Sequence, residues 1–93
     1  MKSLTNKRFW KCYAGLSEEI RRQAREAYTL FFEKDPYYPS LHFKRVHSTR
    51  PVFSARISVD YRAIGIVDGD EITWFWIGSH ADYDNMLKRL RNE

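Results

Sequence analysis

The spacing of hydrophobic positions changes near the middle of the chain. Before residue 36, apolar side chains recur at helical intervals along one face: Ile20, Ala24, Ala27 and Phe31. After residue 51, β-branched and aromatic residues form three short apolar runs, at residues 52–57, 61–67 and 72–77. The pattern predicts helices in the first half of the chain and three antiparallel strands in the second half.

Residues with capping preferences divide the helical part. Asn6–Ala14 is predicted as a first helix, which Gly15 ends. Ser17 can cap a second helix, which stops before Pro36. After the third strand, a final helix has its own apolar stripe: Tyr83, Leu87 and Leu90. We therefore expect an α+β fold, with an N-terminal helical hairpin packed on a small antiparallel β-sheet and a C-terminal helix.

The two loops between the strands determine which side chains share a face. We expect three-residue loops at 58–60 and 68–70, because the glycine of the second loop can adopt a positive φ. This register places Arg56 opposite Arg62 and Arg62 opposite Trp76. It also collects one set of residues on a single face: Ser54, Arg56, Arg62, Ile64, Trp74, Trp76 and His80. Two-residue loops would instead scatter this set over both faces.

Two arginines interrupt the otherwise apolar strands. Arg56 and Arg62 would be at least half-buried there, and a buried arginine is costly unless it has a partner or a function. Two like charges directly opposite each other also oppose folding. We interpret the pair as part of an anion-binding site.

Positive charge is concentrated around these strands. The chain has a formal net charge of +4 at pH 7, and residues 42–62 alone hold five basic residues against one acidic residue. Such a cluster beside aromatic side chains is typical of polyanion binding, although a solvated basic face is the simpler alternative. The residues predicted to contact nucleic acid are Lys44, Arg45, Arg50 and Trp76.

Several classes of protein are disfavoured by what the sequence lacks. The single cysteine, Cys12, excludes an internal disulfide, and His42 and His47 have no third ligand nearby to form a metal site. The sequence has no glycine-rich phosphate loop and no apolar run long enough for a membrane span. We therefore expect one cytoplasmic domain over residues 1–93, with no metal, no cofactor and no membrane contact.

Candidate catalytic residues lie around the end of the third strand. His80 follows the strand where the last helix begins, and imidazole transfers protons near neutral pH. Arg56 and Arg62 can hold a phosphate, and Tyr83 can stack on a base or donate a hydrogen bond. Together the four residues fit metal-free RNA cleavage, in which a ribose 2′-OH attacks the neighbouring phosphate. A purely structural interpretation of the same residues stays open.

Three stretches of the sequence carry a family resemblance: LHFKRV, VFSARISVDYRAIGIV and ITWFWIGSHADYD. Over roughly residues 6–90 the chain resembles the RelE/ParE superfamily of bacterial toxin proteins. The most specific parts are the Arg-x5-Arg pattern of ARISVDYRAIG and the strand ending in IGSH. The resemblance implies the toxin of a type II toxin–antitoxin system, inhibited by a cognate antitoxin. It further implies an mRNA interferase, a metal-free and ribosome-dependent endoribonuclease that inhibits translation.

Individual residues match the superfamily unevenly. By position, Arg56 matches a basic residue of the family and Arg62 matches an arginine that begins the next strand. His80 falls where ribonuclease members have an arginine or lysine, and Tyr83 lies near the position of a catalytic tyrosine. Ser54 stands where some ribonuclease members of the family have a second lysine. The N-terminal strand that is common in the family is short or missing in this sequence. Because of these departures the alternative stays open: a DNA gyrase inhibitor, or an inactive relative that binds only its antitoxin.

The resemblance also gives an expectation about partners. We expect mRNA on the ribosome as substrate, or DNA gyrase as the target in the alternative. The basic face and the apolar stripe of the last helix are expected to bind an acidic, amphipathic segment of the antitoxin.

Overall fold

A mixed β-sheet forms the centre of the molecule. The computed structural model describes residues 1–92, apart from the side chain at position 33. The strands are Lys2–Thr5 (β1), Lys44–Arg45 (β2), Val52–Ser58 (β3), Tyr61–Asp68 (β4) and Glu71–Ser79 (β5). They form a five-stranded sheet in the order β1-β5-β4-β3-β2, in which only β1 and β5 are parallel neighbours. The three predicted strands are therefore present, and a short strand extends the sheet at each edge.

The helices begin where their capping residues predict. They are Lys7–Ala14 (α1), Glu18–Thr29 (α2) and His80–Arg91 (α3), with a π-helical turn at Leu30–Lys34 and a 3₁₀ turn at Pro39–Leu41. Asn6, Ser17 and Ser79 each accept a backbone hydrogen bond from the residue three positions on, at 3.0, 3.3 and 3.2 Å. None of the described helices combines the length and apolar character that a bilayer span requires.

The sheet has a hydrophobic core on each face, which confirms the α+β fold. The hairpin face, covered by α1 and α2, buries one cluster: Ala24, Ala27, Phe31, Leu41, Phe43, Ala55, Ala63, Ile72, Trp74 and Ile77. The α3 face buries another: Val52, Ile64, Phe75, Trp76, Tyr83, Met86 and Leu90. The apolar stripe predicted for the last helix is therefore packed against the sheet, with Leu87 only partly buried. This stripe is not an open surface for the antitoxin, because the second sheet face already occupies it.

The loops are shorter than predicted, but the predicted pairing of Arg56 with Arg62 is present. The turns contain two residues each, 59–60 and 69–70, and Gly69 has a φ of 61°. Arg56 still pairs with Arg62, because an irregularity between Arg56 and Ser58 restores the register that a two-residue turn would shift. The prediction of three-residue loops is thus wrong, whereas the arginine pairing is confirmed.

A second irregularity, in β5, places Trp74 and Trp76 on opposite faces of the sheet. Ile64 pairs with Trp76 and the next residue, Gly65, pairs with Trp74, so β5 has one extra residue at this point. Trp74 consequently packs in the hairpin-face cluster and Trp76 in the α3-face cluster. The expectation that both share a face is wrong. Arg62 also lies opposite Gly78 and not opposite Trp76.

Gly78 makes room for the indole of Trp76. A Cβ atom at Gly78 would lie 2.6 Å from Cζ2 of Trp76, a distance that side chains do not tolerate. The indole of Trp76 therefore lies directly over the backbone of Gly78.

Candidate functional site

The predicted catalytic residues lie around one end of the sheet, where β3 turns into β4 and β5 gives way to α3. Arg56 and Arg62 are cross-strand neighbours on β3 and β4. The backbone N–H of His80 donates to the carbonyl of Asp60 at 2.6 Å. This bond joins the β3–β4 turn to the first residue of α3, so the turn holds the start of the helix in place.

The guanidinium of Arg62 is anchored by the same turn. Its Nη1 donates to the carbonyls of Ser58 at 2.6 Å, Tyr61 at 2.9 Å and Val59 at 3.3 Å. Its Nε and Nη2 have no hydrogen bond to any residue that the structure describes. The Nε and Nη2 donors of an arginine point in parallel and match two oxygens of a phosphate. The turn thus orients Arg62 and leaves this edge available for an anion.

Arg56 is a half-buried cation on β3. It makes no hydrogen bond or ion pair with the residues described in the structure. It lines a hollow of about 330 Å³ beside α2, together with Gln23, Glu26 and Ser58. The two arginines are therefore supported differently, because Arg62 is bonded to the turn carbonyls and Arg56 has no bond to a residue that the structure describes.

His80 is exposed, and two neighbouring side chains contact its ring. Its side chain is 47% exposed, and Nδ1 lies 3.3 Å from Oδ2 of Asp84. The ring also packs edge-on against Tyr83, with centroids 5.6 Å apart. The imidazole is therefore accessible to a substrate while its orientation is constrained.

Tyr83 and Trp76 lie inside the α3-face core. Tyr83 is 6% exposed and Trp76 is 7% exposed. The hydroxyl of Tyr83 donates to Oγ of Ser54 at 3.0 Å, and Ser54 is itself buried. Neither aromatic ring offers a face to a nucleic-acid base in this arrangement. Tyr83 instead packs against His80, and Trp76 packs against Gly78 near the end of β5.

The other basic candidates lie at the β2 edge. Lys44 pairs with Ser54, one row of side chains from Arg56, which corresponds to about 7 Å along the strand. Arg45 donates from Nε to the carbonyls of His47 at 3.0 Å and Arg50 at 3.2 Å, so it holds the loop before β3. Lys44 is therefore the member of this group that most directly extends the arginine pair.

A second surface of interest lies on the opposite, hairpin face. A cleft of about 670 Å³ runs between β1, the two helices and the sheet, and its lining is mostly apolar. Trp10 and Tyr28 line it and are 53% and 46% exposed. Helix α1 contributes Phe9, Trp10 and Tyr13 to the lining, and its three basic residues lie outside the lining. An open aromatic cleft of this size is typical of a site that binds another molecule.

Comparison with known proteins agrees with this architecture. A family model described as the ParE-like toxin domain matches residues 18–85. The chain belongs to the ParE-like toxin family. The resemblance to the RelE/ParE superfamily is thereby confirmed. Among curated proteins, none matches the sequence.

Solved structures of similar fold extend the comparison. RelE in the RelB–RelE antitoxin–toxin complex from Methanococcus jannaschii has a TM-score of 0.73 at 17% identity, covering 89% of this chain and 96% of that one. YafQ from E. coli strain BL21(DE3) has a TM-score of 0.70 at 13% identity, covering 88% and 96%. The YoeB dimer from Staphylococcus aureus has a TM-score of 0.66 at 13% identity, covering 86% and 97%. At these identities the likeness shows the shared fold alone.

Sequence reasoning missed three features of this ParE-like toxin domain. Asp84, one helical turn after His80, was detectable from its spacing alone. The turn carbonyls that hold Arg62 are backbone groups and leave no signal in the sequence. The aromatic cleft depends on how the hairpin packs. Within the described part of the chain, no three His, Cys, Asp or Glu side chains come together as a metal site would require.

Proposed function

We propose that this protein is the toxin of a type II toxin–antitoxin pair and cleaves mRNA at the ribosome without a metal. The observation that carries the proposal is the pairing of two groups at one end of the sheet. Arg62 has a free Nε/Nη2 edge held in place by the turn, and the exposed His80 is bonded to that same turn. A bound phosphate and a proton acceptor are the two parts that this reaction requires.

The proposed reaction is attack of a ribose 2′-OH on the adjacent phosphorus. Nε2 of His80 takes the hydroxyl proton as the O2′–P bond forms and the P–O5′ bond breaks. The leaving O5′ takes a proton from water at this exposed site. Arg62 and Arg56 bind the phosphate and neutralise the charge that develops on its oxygens. The products are a 2′,3′-cyclic phosphate and a 5′-hydroxyl.

The other predicted residues have supporting roles in this proposal. Lys44 binds a flanking phosphate, and Arg45 and Arg50 shape the loop beside it. Tyr83 acts by packing against His80, because its hydroxyl is already bonded to Ser54.

The chemistry of the cut ends tests the proposal. Purified protein is incubated with ribosomes programmed with a defined mRNA, and the ends of the fragments are mapped and identified. We expect cuts within the ribosome-bound codon that leave 2′,3′-cyclic or 3′-phosphate ends. Fragments with 5′-phosphate ends would overturn the mechanism, and intact mRNA would overturn the nuclease assignment.

The proposed partner is a cognate antitoxin that docks in the cleft of the hairpin face. The relative from Methanococcus jannaschii is seen bound to its antitoxin. The lining aromatics fit the apolar side of an amphipathic segment, and Lys7 and Lys11, on the helix that supplies Trp10, fit acidic residues that flank this segment. Binding is therefore expected to weaken as salt is raised. Affinity that does not change with ionic strength would exclude this docking mode.

A second function is favoured by specific observations. The burial of Tyr83 and Trp76 removes two side chains that could bind RNA, and three hydrogen bonds give Arg62 a structural role. The hairpin face instead has an open apolar cleft of about 670 Å³. These features fit a protein that acts by binding, either a gyrase inhibitor or an inactive relative. A supercoiling assay with purified gyrase tests the gyrase inhibitor, because neither a nuclease nor an inactive relative blocks that reaction.

A further inference from the structure

We infer that Asp84 is a positioning residue that fixes the tautomer of His80, so that Nε2 is the nitrogen presented to the substrate. The inference rests on the proposed function, because it assigns the proton-accepting atom of that same site. Asp84 ends the stretch ITWFWIGSHADYD, but the resemblance assigns it no role.

The geometry holds the ring from several directions. Oδ2 of Asp84 lies 3.3 Å from Nδ1, and the Tyr83 ring packs edge-on at a centroid distance of 5.6 Å. Tyr83 cannot easily move, because its hydroxyl donates to the buried Ser54 at 3.0 Å. The backbone of His80 is fastened to Asp60 at 2.6 Å. A ring constrained in this way has few orientations available.

Only one ring nitrogen remains for chemistry. A neutral imidazole has one N–H donor and one acceptor, and the nitrogen beside a carboxylate is the donor. Nδ1 therefore holds the proton that points to Asp84. Nε2 has no partner among the residues that the structure describes and is left as the acceptor. When Nε2 takes the 2′-OH proton, the carboxylate stabilises the imidazolium that forms.

The same helical turn contains a matched control. Asp82 is also an exposed aspartate near the start of α3, and its backbone N–H makes the capping bond to Ser79. Its carboxylate makes no hydrogen bond or ion pair with the described residues. Asp82→Ala therefore removes the same charge from the same helix end without touching His80.

Two measurements on Asp84→Ala and Asp82→Ala test the inference. Long-range ¹H–¹⁵N NMR of labelled histidine reports which ring nitrogen bears the proton. We expect Nδ1–H for His80 in the wild type and in Asp82→Ala, and a shift toward Nε2–H in Asp84→Ala. The kcat of RNA cleavage should fall about 10- to 100-fold in Asp84→Ala, with little change in KM, because loss of orientation affects the chemical step.

The outcomes separate this inference from the proposed function. An unchanged tautomer in Asp84→Ala would overturn the positioning role. A changed tautomer with cleavage equal to that of Asp82→Ala would overturn its use in catalysis. If the wild type cleaves no RNA, the proposed function fails, and the tautomer measurement still decides whether Asp84 orients His80. Circular dichroism of both variants establishes that α3 stays folded.

Discussion

The two faces of the sheet are covered by helices in different ways. On the hairpin face, α1 and α2 leave a cleft of about 670 Å³, in which Trp10 and Tyr28 are close to half exposed. On the other face, α3 lies against the strands and buries Tyr83, Met86 and Leu90. The exposed functional groups there are polar and few, and backbone or side-chain bonds hold the imidazole of His80 and the guanidinium of Arg62 in place.

This difference suggests that the faces have separate tasks. An open aromatic cleft can bind a large apolar surface, and its affinity does not depend on one exact atom position. Proton transfer and phosphate binding need few groups, but they need them at fixed positions. The comparison can be tested, because substitutions on one face should leave the task of the other face unchanged.

The largest effect is expected on the α3 face from His80→Ala. Removing a general acid–base group lowers the rate of cleavage by about 10²–10⁴. The side chain is 47% exposed, so stability and antitoxin binding should change little. Cleavage rates of programmed ribosomes measure the effect. Cleavage at the wild-type rate would remove His80 from the mechanism.

The next largest effect is expected on the hairpin face from Trp10→Ala. A tryptophan at the centre of an apolar interface contributes about 2 kcal/mol or more, so antitoxin affinity should fall at least about 30-fold. Calorimetric titration measures it. Tyr38→Ala is the control, because Tyr38 is 40% exposed and does not line the cleft. If Trp10→Ala also abolished cleavage, the division between the faces would be wrong.

The two arginines should respond differently to the same substitution. Arg62→Gln loses the bonds to the turn carbonyls, and we expect the free energy of unfolding to drop by about 1–3 kcal/mol. Arg56→Gln removes no protein hydrogen bond, so stability should hold. Both variants should lose cleavage, because both lose phosphate contacts. Urea unfolding curves measure the predicted difference in stability, and equal destabilisation by the two substitutions would contradict it.

The smallest effect concerns the acid stability of the hairpin. Hydrogen bonds from Arg25 and Arg22 lower the pKa of the Glu18 and Glu19 carboxyls below the usual value of 4.5. Stabilisation by a carboxyl with a lowered pKa is complete above the unfolded-state value and is lost as pH falls through the folded-state value. The wild type should therefore lose slightly more stability below about pH 4.5 than a variant with both glutamates changed to glutamine. Thermal unfolding across this range measures the difference, and parallel curves would contradict it.

Local signals in the sequence predicted much of the fold. Asn6, Ser17 and Ser79 mark the helix starts because capping involves only three or four neighbouring residues. These helix starts could be predicted because nothing distant in the chain overrides them. The pairing of Arg56 with Arg62 was also predicted, but from the wrong loop length, because it depends on an irregularity between Arg56 and Ser58.

Features that depend on distant contacts were harder to predict. The extra residue in β5 moves Trp74 to the hairpin face, where its indole donates to Ser3 at 2.9 Å. No local pattern contains that bond. The candidate residues of the site could be predicted, because histidine and arginine are conspicuous among the apolar residues of the strands. The supports of the site could not be predicted, because the turn carbonyls that hold Arg62 are backbone groups and the burial of Tyr83 arises only when α3 packs against the sheet.

The pairing of β1 with β5 determines when during synthesis the sheet can close. Lys2 pairs with Glu71, so the strand made first needs a partner made near the end. At about 5–20 residues per second, that partner follows roughly 4 to 14 s later. Helix α1 starts where β1 ends, and its first turn depends on a bond from Asn6 to the Trp74 carbonyl. The sheet therefore closes only when the segment that leads to His80 emerges, and a nascent chain interrupted before that point has neither a complete fold nor a complete site.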